Sequence, residues 1–173
     1  MTKSHENKPS EELVDLIDHD NHVVGQTTRG EVRRLNLLHR GVGIFCFNSR
    51  NEVYVHRRTD TKDVFPSMYD MFVGGVVSSG ESYETAATRE IAEELGIVGA
   101  SPEHLFEHLY WGPQNRSWVA VYRVVWDGPI VHQESEVAWG AYFTMEELVK
   151  KLEEWTFVPD GLEIFHEYRR RLR

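Results

Sequence analysis

Apolar and polar residues fall into short blocks whose period changes several times along the chain. Leu13-Val14-Asp15-Leu16-Ile17 and Val23-Val24-Gly25-Gln26 flank Asp18-His19-Asp20-Asn21-His22, a polar run with turn chemistry, and together they predict a β-hairpin. Arg29 to Leu38 is mixed and fits one helical turn. Gly41 to Asn48 and Glu52 to Arg58 surround the turn Ser49-Arg50-Asn51 and predict a second strand pair with a period of two. An irregular stretch, Thr59 to Met71, leads to the short apolar run Phe72 to Val77. The period then changes to helical: Ala87, Ile91 and Leu95 recur every four residues within Ser82 to Leu95, and Gly96 follows as a C-terminal stop. Leu105 to Tyr110, Trp118 to Trp126 and Val137 to Phe143 read as strands. Thr144-Met145-Glu146-Glu147 is a capping sequence that opens a helix through Leu152, and Asp160 to Leu172 is a last helix ending in basic residues. With no repeat, low-complexity segment or linker, this mixture predicts one α/β (α+β) domain over residues 11–173, preceded by a loose tail over 1–10.

Composition narrows the function. Hydrophobic residues at 40% and aromatics at 12% fit a globular chain of 173 residues with a proper core. The net charge of −9 repels a nucleic-acid backbone, so no nucleic-acid partner is expected. It repels phosphorylated small molecules too, unless a divalent cation lies between them and the protein. Cys46 is the only cysteine and sits in the apolar run Gly43 to Phe47, so it reads as a core residue. Met1 to Glu12 has no apolar core of a secretory signal, and no segment reaches the ~20 apolar residues of a membrane helix. A soluble, cytoplasmic protein with no membrane partner is expected. The aspartates and histidines of residues 18–22 also suit a metal, but turn chemistry accounts for them.

The chemistry concentrates between Glu81 and Glu94, where Glu81, Glu84, Glu90, Glu93 and Glu94 accompany a single base, Arg89. Glu90 and Glu94 stand four apart, stacked on one helical face with Glu93 beside them. Like charges so placed destabilise a helix by a few tenths of a kcal/mol per pair. The arrangement reads either as a carboxylate site for a hard divalent cation or as a solvated acidic helix face. Gly74-Gly75, just upstream, permits close backbone approach to the same point.

The stretch from Gly75 through Glu81, Arg89-Glu90-Ile91 and Glu93-Glu94 to Gly96-Ile97 resembles the Nudix box at every defining position. Seven fixed residue types and two aliphatic ones match, a coincidence of probability about 10^-10 per starting position. The resemblance implies a Nudix-type α/β/α sandwich with a mixed sheet, here with an N-terminal hairpin extension. It also implies hydrolysis of a diphosphate linked to another group X, with Mg2+ or Mn2+ as cofactor. Carried onto this chain, Glu90, Glu94 and Glu93 are the expected metal ligands, with the Gly75 carbonyl as a fourth. Arg89 is expected to orient the glutamates, and Glu81 to fix the loop before the helix. The family's general base often lies some forty residues further on, which brings in Glu134 and Glu136. Glu136, directly before a strand, is favoured, with an ordinary solvated loop as the alternative.

The surroundings of the box are similar to isopentenyl diphosphate isomerase, in Leu37-Leu38-His39-Arg40, Arg57-Arg58, Phe65-Pro66 and Tyr69. The isomerase cysteine falls on Gly74, however, and its metal-binding histidines and glutamates fall mostly on Val32, Val76, Gln114 and Arg116. Hydrolase chemistry is therefore expected, with a non-catalytic ligand sensor, or after it an isomerase-like activity, as the alternatives. Arg57, Arg58 and Tyr69 are the candidates for substrate binding, though neighbouring strand residues face opposite ways and only one arginine should reach the site. His39 is expected to pack. Thr59 to Met71 and Trp111 to Ser117 are the expected specificity loops. The partner is a small-molecule diphosphate, and a homodimer fits the family's habit.

Overall fold

The computed structural model describes residues 9–172, so most of the proposed tail lies outside the described residues. Pro9–Glu11 forms a short 3-10 turn. β1 (Leu13–Ile17) and β2 (Val23–Thr28) make the expected antiparallel hairpin, and α1 (Arg29–Leu35) follows with Thr28 as its cap. The hairpin turn is held by Asp18, whose Oδ1 accepts the backbone N–H groups of Asp20 and His22, both at 2.9 Å.

β3 (His39–Phe47) is the central strand, buried along nearly its whole length. It runs parallel to β8 (Arg116–Val125) from His39↔Ser117 to Phe47↔Val125, and antiparallel to β6 (Val73–Val76) from Gly41↔Val76 to Ile44↔Val73. β4 (Val53–Arg58) pairs antiparallel with β3 as expected, but only at Phe47↔Val53, beside the turn. Both sides of β3 are already occupied by β6 and β8. β4 turns away to pair with β9 (Val137–Phe143) and the two-residue β5 (Tyr69–Asp70). β7 (Glu103–Trp111) completes the sheet against β8. The result is a mixed sheet of nine strands among the described residues.

Helices cover both faces. α2 (Tyr83–Leu95) lies over Val42, Ile44, Ala120 and Tyr122 with the predicted stripe, Ala87, Ile91 and Leu95, fully buried. Its ends follow from local chemistry. Ser82 Oγ accepts the Thr85 N–H, and Gly96 at φ 67° turns the chain so that its N–H and that of Ile97 bond back to Ala92 and Ile91. On the opposite face α3 (Met145–Glu154) and α4 (Pro159–Arg171) pack Leu148, Ile164, Phe165 and Tyr168 against Phe45, Phe47 and Val121. Cys46 is buried in the core as expected, and burial pushes its thiol up to about 11. No described helix is long and apolar enough to cross a membrane.

Candidate active site

Two glycines shape the ground beneath the box helix: Gly74 lets β6 lie close against β3, and Gly75 leaves room for the Glu90 side chain. A Cβ on Gly74 would lie 2.0 Å from the Val42 carbonyl oxygen, and one on Gly75 would lie 2.3 Å from Glu90 Oε1. A side chain at Gly75 would displace the Glu90 carboxylate from its place against the strand. The helix therefore delivers its polar edge directly onto strand backbone, with Glu90 8% and Glu94 5% exposed.

Buried carboxylates need partners. Arg89 supplies most of them. Its Nε and Nη2 form a fork on Glu81, both bonds 3.0 Å, while Nη1 donates to Glu90 at 2.7 Å and to Glu93 at 3.3 Å. Nη2 also reaches the Val76 carbonyl at 3.2 Å. Glu81 in turn accepts the Ser78 N–H at 3.1 Å, which fastens the turn between β6 and α2. Arg89 is held more firmly protonated than usual, first by the Glu81 hydrogen bonds. Burial raises the Glu90 pKa, a rise that Arg89 limits. Glu94 is pushed up to about 8, first by burial and then by the charge on Glu90. Lys62 and Arg58 act on it in the opposite direction from a distance.

Two buried carboxylates with raised pKa values, side by side at a cleft and against a glycine that leaves the strand backbone bare, suit a divalent cation. The donor set is oxygen only, which fits a hard ion. In this arrangement Glu90 and Glu93 point their oxygens at Arg89 rather than at a common centre. The described Asp, Glu, His or Cys ligand atoms that do converge within 4.8 Å in a group of three are those of Asp18, Asp20 and His22. There the Asp18 hydrogen bonds already explain the geometry.

The cleft beside α2 has a volume of about 1070 Å³. One wall carries Gly75, Arg89, Glu90, Glu93 and Glu94, continued by the loop that contains Ser135 and Glu136. That loop hangs from the end of α2: the Val131 N–H bonds to Leu95 at 2.9 Å, and the Gln133 N–H bonds to Glu94 at 3.2 Å. His132 contacts the Tyr54 hydroxyl, which pins the loop to β4. Glu136 thereby reaches the cleft, paired with Lys62, whereas Glu134 stays outside its lining.

The other wall was anticipated only in part, through the expected specificity loop Thr59 to Met71. It is made by the 3-10 turn and by Arg29, Gly30 and Arg33 of α1, with Thr61, Lys62 and Asp63 from the irregular segment. Arg29 and Arg33 stand four apart, so a basic helical face was visible in the chain. Lys62 carried no comparable signal.

The substrate-binding candidates are placed differently from expectation. Arg57 is exposed and donates to the Ser67 carbonyl at 3.2 Å. Arg58 faces inward, where it holds the Val64 and Phe65 carbonyls at 2.9 and 3.2 Å and lines a recess behind the cleft. Tyr69 stands apart from the cleft. Its ring stacks on Trp155 at 4.1 Å and 17°, within an aromatic cluster beside β9 and α3, because burying two large rings together outweighs leaving one at the cleft. The segment from Trp111 to Ser117 likewise contributes nothing to the cleft lining. Trp111 stacks on His19 of the hairpin turn. His39 packs as expected: it is buried, its Nδ1 lies 2.9 Å from the Leu37 carbonyl, and burial lowers its pKa to about 4.

A family model described as the NUDIX domain matches residues 37–165, which contain the glycine strand, the box helix and the loop of Glu136. The chain belongs to the Nudix family. Relatives named as Nudix hydrolases support hydrolase activity. The Streptomyces coelicolor protein named Uncharacterized Nudix hydrolase SCO1686 is 47% identical over 162 residues, covering 92% of this chain and 90% of its own. The Uncharacterized Nudix hydrolase YfcD of Escherichia coli K12 is 37% identical over 164 residues, covering 94% and 89%. Among solved structures, the crystal structure of DR0079 from Deinococcus radiodurans superposes with a TM-score of 0.77 at 29% identity, over 90% of this chain and 98% of that one. The Nudix match begins at Leu37, so the 3-10 turn and α1 of the second wall lie outside it, whereas Thr61, Lys62 and Asp63 lie within it.

Proposed function

We propose that this Nudix hydrolase cleaves the diphosphate linkage of a nucleoside diphosphate derivative or a similar metabolite, by in-line attack of water. The observation that carries this reading is the pair of buried carboxylates, Glu90 and Glu94, set against Gly75 at the edge of a large polar cleft. Glu90, Glu94 and Glu93, with the Gly75 carbonyl, would hold Mg2+, or Mn2+ in its place. Such an ion neutralises phosphate charge and lowers the pKa of water.

The chain's own residues supply the rest. Arg89 keeps Glu81, Glu90 and Glu93 in position and touches no substrate. Glu136, carried into the cleft by the loop tied to α2, takes the proton from the attacking water. Lys62 holds the Glu136 carboxylate in place until substrate arrives. The likeness to isopentenyl diphosphate isomerase describes the surroundings of the box and not its chemistry: Gly74, at the position of the isomerase cysteine, has no side chain to transfer a proton and abuts the Val42 carbonyl.

The test is phosphate release from a panel of diphosphate compounds with Mg2+ or Mn2+, run beside Glu94→Gln. The panel holds ADP-ribose, NADH, FAD, coenzyme A, diadenosine polyphosphates, nucleotide sugars, triphosphates and isopentenyl diphosphate. Turnover that vanishes in the variant is the expected result. Saturable binding without turnover across the panel would make the protein a sensor and sink the hydrolase reading.

A further inference from the structure

Behind the cleft lies a smaller recess of about 90 Å³ that shares Gly74, Gly75, Arg29, Arg33 and Lys62 with it. Arg58 and His39 line its interior, and none of the box glutamates does. The charges around the site are unevenly spread: glutamates crowd along α2, whereas among the described residues four cations, Arg29, Arg33, Arg58 and Lys62, line the recess with one carboxylate, Asp160. Arg33 is the least satisfied of these cations. Its Nε is buried without a hydrogen-bond partner and makes only a long ion pair with Asp63, at 3.8 Å. Burial lowers its pKa, and the charges of Arg29 and Arg58 add to the effect. Arg29 bonds Glu12 through Nη1 alone, at 3.3 Å. Crowded guanidinium groups with unused donors are a receptor for a compact, highly charged anion.

A second observation points the same way. None of the described residues lining the cleft is aromatic, so no ring there can stack on a nucleobase.

We infer that Arg29 and Arg33, with Lys62, bind a terminal, dianionic phosphate, so that the substrate is a diphosphate monoester and not a diphosphate esterified at both ends. This inference rests on the hydrolase reading and specifies its substrate class. Water's oxygen joins one phosphorus, the bridging P–O bond breaks, and the trianionic monoester gives an organic phosphate, inorganic phosphate and one proton. The recess is an order of magnitude smaller than the cleft, which leaves the organic group on the cleft side.

The test is calorimetric binding of two uncleavable probes at saturating Mg2+: the monomethyl ester of methylenediphosphonate, with one free end, and its P,P′-dimethyl ester, with none. Arg33→Gln should weaken the monoester about tenfold or more, as expected for loss of a charge-assisted contact, and leave the diester within about twofold. Arg33→Lys should restore part of the difference. Equal losses for both probes, or no loss for either, overturn the inference. Arg29→Gln gives the same readout should Arg33→Gln fail to fold, which thermal melting reports. Phosphate release from the panel decides hydrolysis separately: turnover of ADP-ribose alone, with no preference for a free end in binding, would keep the hydrolase and discard the terminal-phosphate receptor.

Discussion

The two faces of the central sheet are built from the same strands and answer to different demands. Under α3 and α4 the sheet meets large rings and aliphatics, Phe45, Phe47, Phe165 and Tyr168 among them, and the buried carboxylates there are Asp70 against Gly161 and Glu167 paired with Arg170 and Arg171. Under α2 the contacts are small, Ala86 and Ala87 beside Ile91 and Leu95, and the same helix pushes two carboxylates out of water at its edge. The first face stabilises the fold through apolar area and packing. The second gives up stability to keep charge where a cation and a phosphate can meet it. A substitution should therefore damage folding on one face and chemistry on the other.

The sharpest contrast comes from removing one charge at the α2 edge. Glu94→Gln should cut kcat/KM by roughly 10^3-fold or more, the scale of losing a metal ligand, while the denaturant midpoint of the metal-free protein stays level or rises. A variant that loses stability instead would show that Glu94 holds the fold. The matching cut on the opposite face is Phe165→Ala, which should cost about 3–5 kcal/mol in urea unfolding and leave Mg2+ affinity of the folded fraction unchanged. A change in affinity there would couple the two faces.

A smaller effect separates them by pH. Glu94 holds its proton up to about 8 in the folded, metal-free chain, against 4.5 for the free side chain. Between those values the folded state binds more protons than the unfolded one, so stability is fully present below pH 4.5 and declines as pH rises toward 8. Thermal melting across that window should show a decline that flattens in Glu94→Gln, and Mg2+ should stabilise most at its alkaline end. The mildest probe is Thr144→Ala, which removes the capping box that Thr144 and Glu147 form at the start of α3. About 1 kcal/mol of stability should go, with kcat untouched.

The two faces also differ in how far the amino-acid sequence discloses them. The stripe Ala87, Ile91 and Leu95 and the glutamates beside it lie within one helix, so spacing alone places them relative to each other. The caps Ser82, Gly96 and Thr144 are local too. Partners far apart along the chain are another matter. Tyr69 looks like a ligand-binding ring until Trp155 and Trp139 fold onto it. The long pairing of β3 with β8 joins residues nearly eighty positions apart, from His39↔Ser117 to Phe47↔Val125. Arg29, Arg33 and Lys62 meet only because the hairpin extension and the irregular segment are brought to the same cleft. No periodicity within either segment records that meeting.

The loop of residues 131–136 hangs from the last turn of α2 through backbone hydrogen bonds, so the proposed base travels with the proposed metal ligands as one unit. The basic wall comes from elsewhere in the chain. The molecule is in this sense modular, with a reaction cassette in one part and a substrate reader in another. Exchange of residues 9–35 together with the segment Thr61 to Asp63 between relatives should thus redirect substrate choice while the rate-determining chemistry is inherited intact, a route by which a lineage can explore new metabolites without first losing its catalyst.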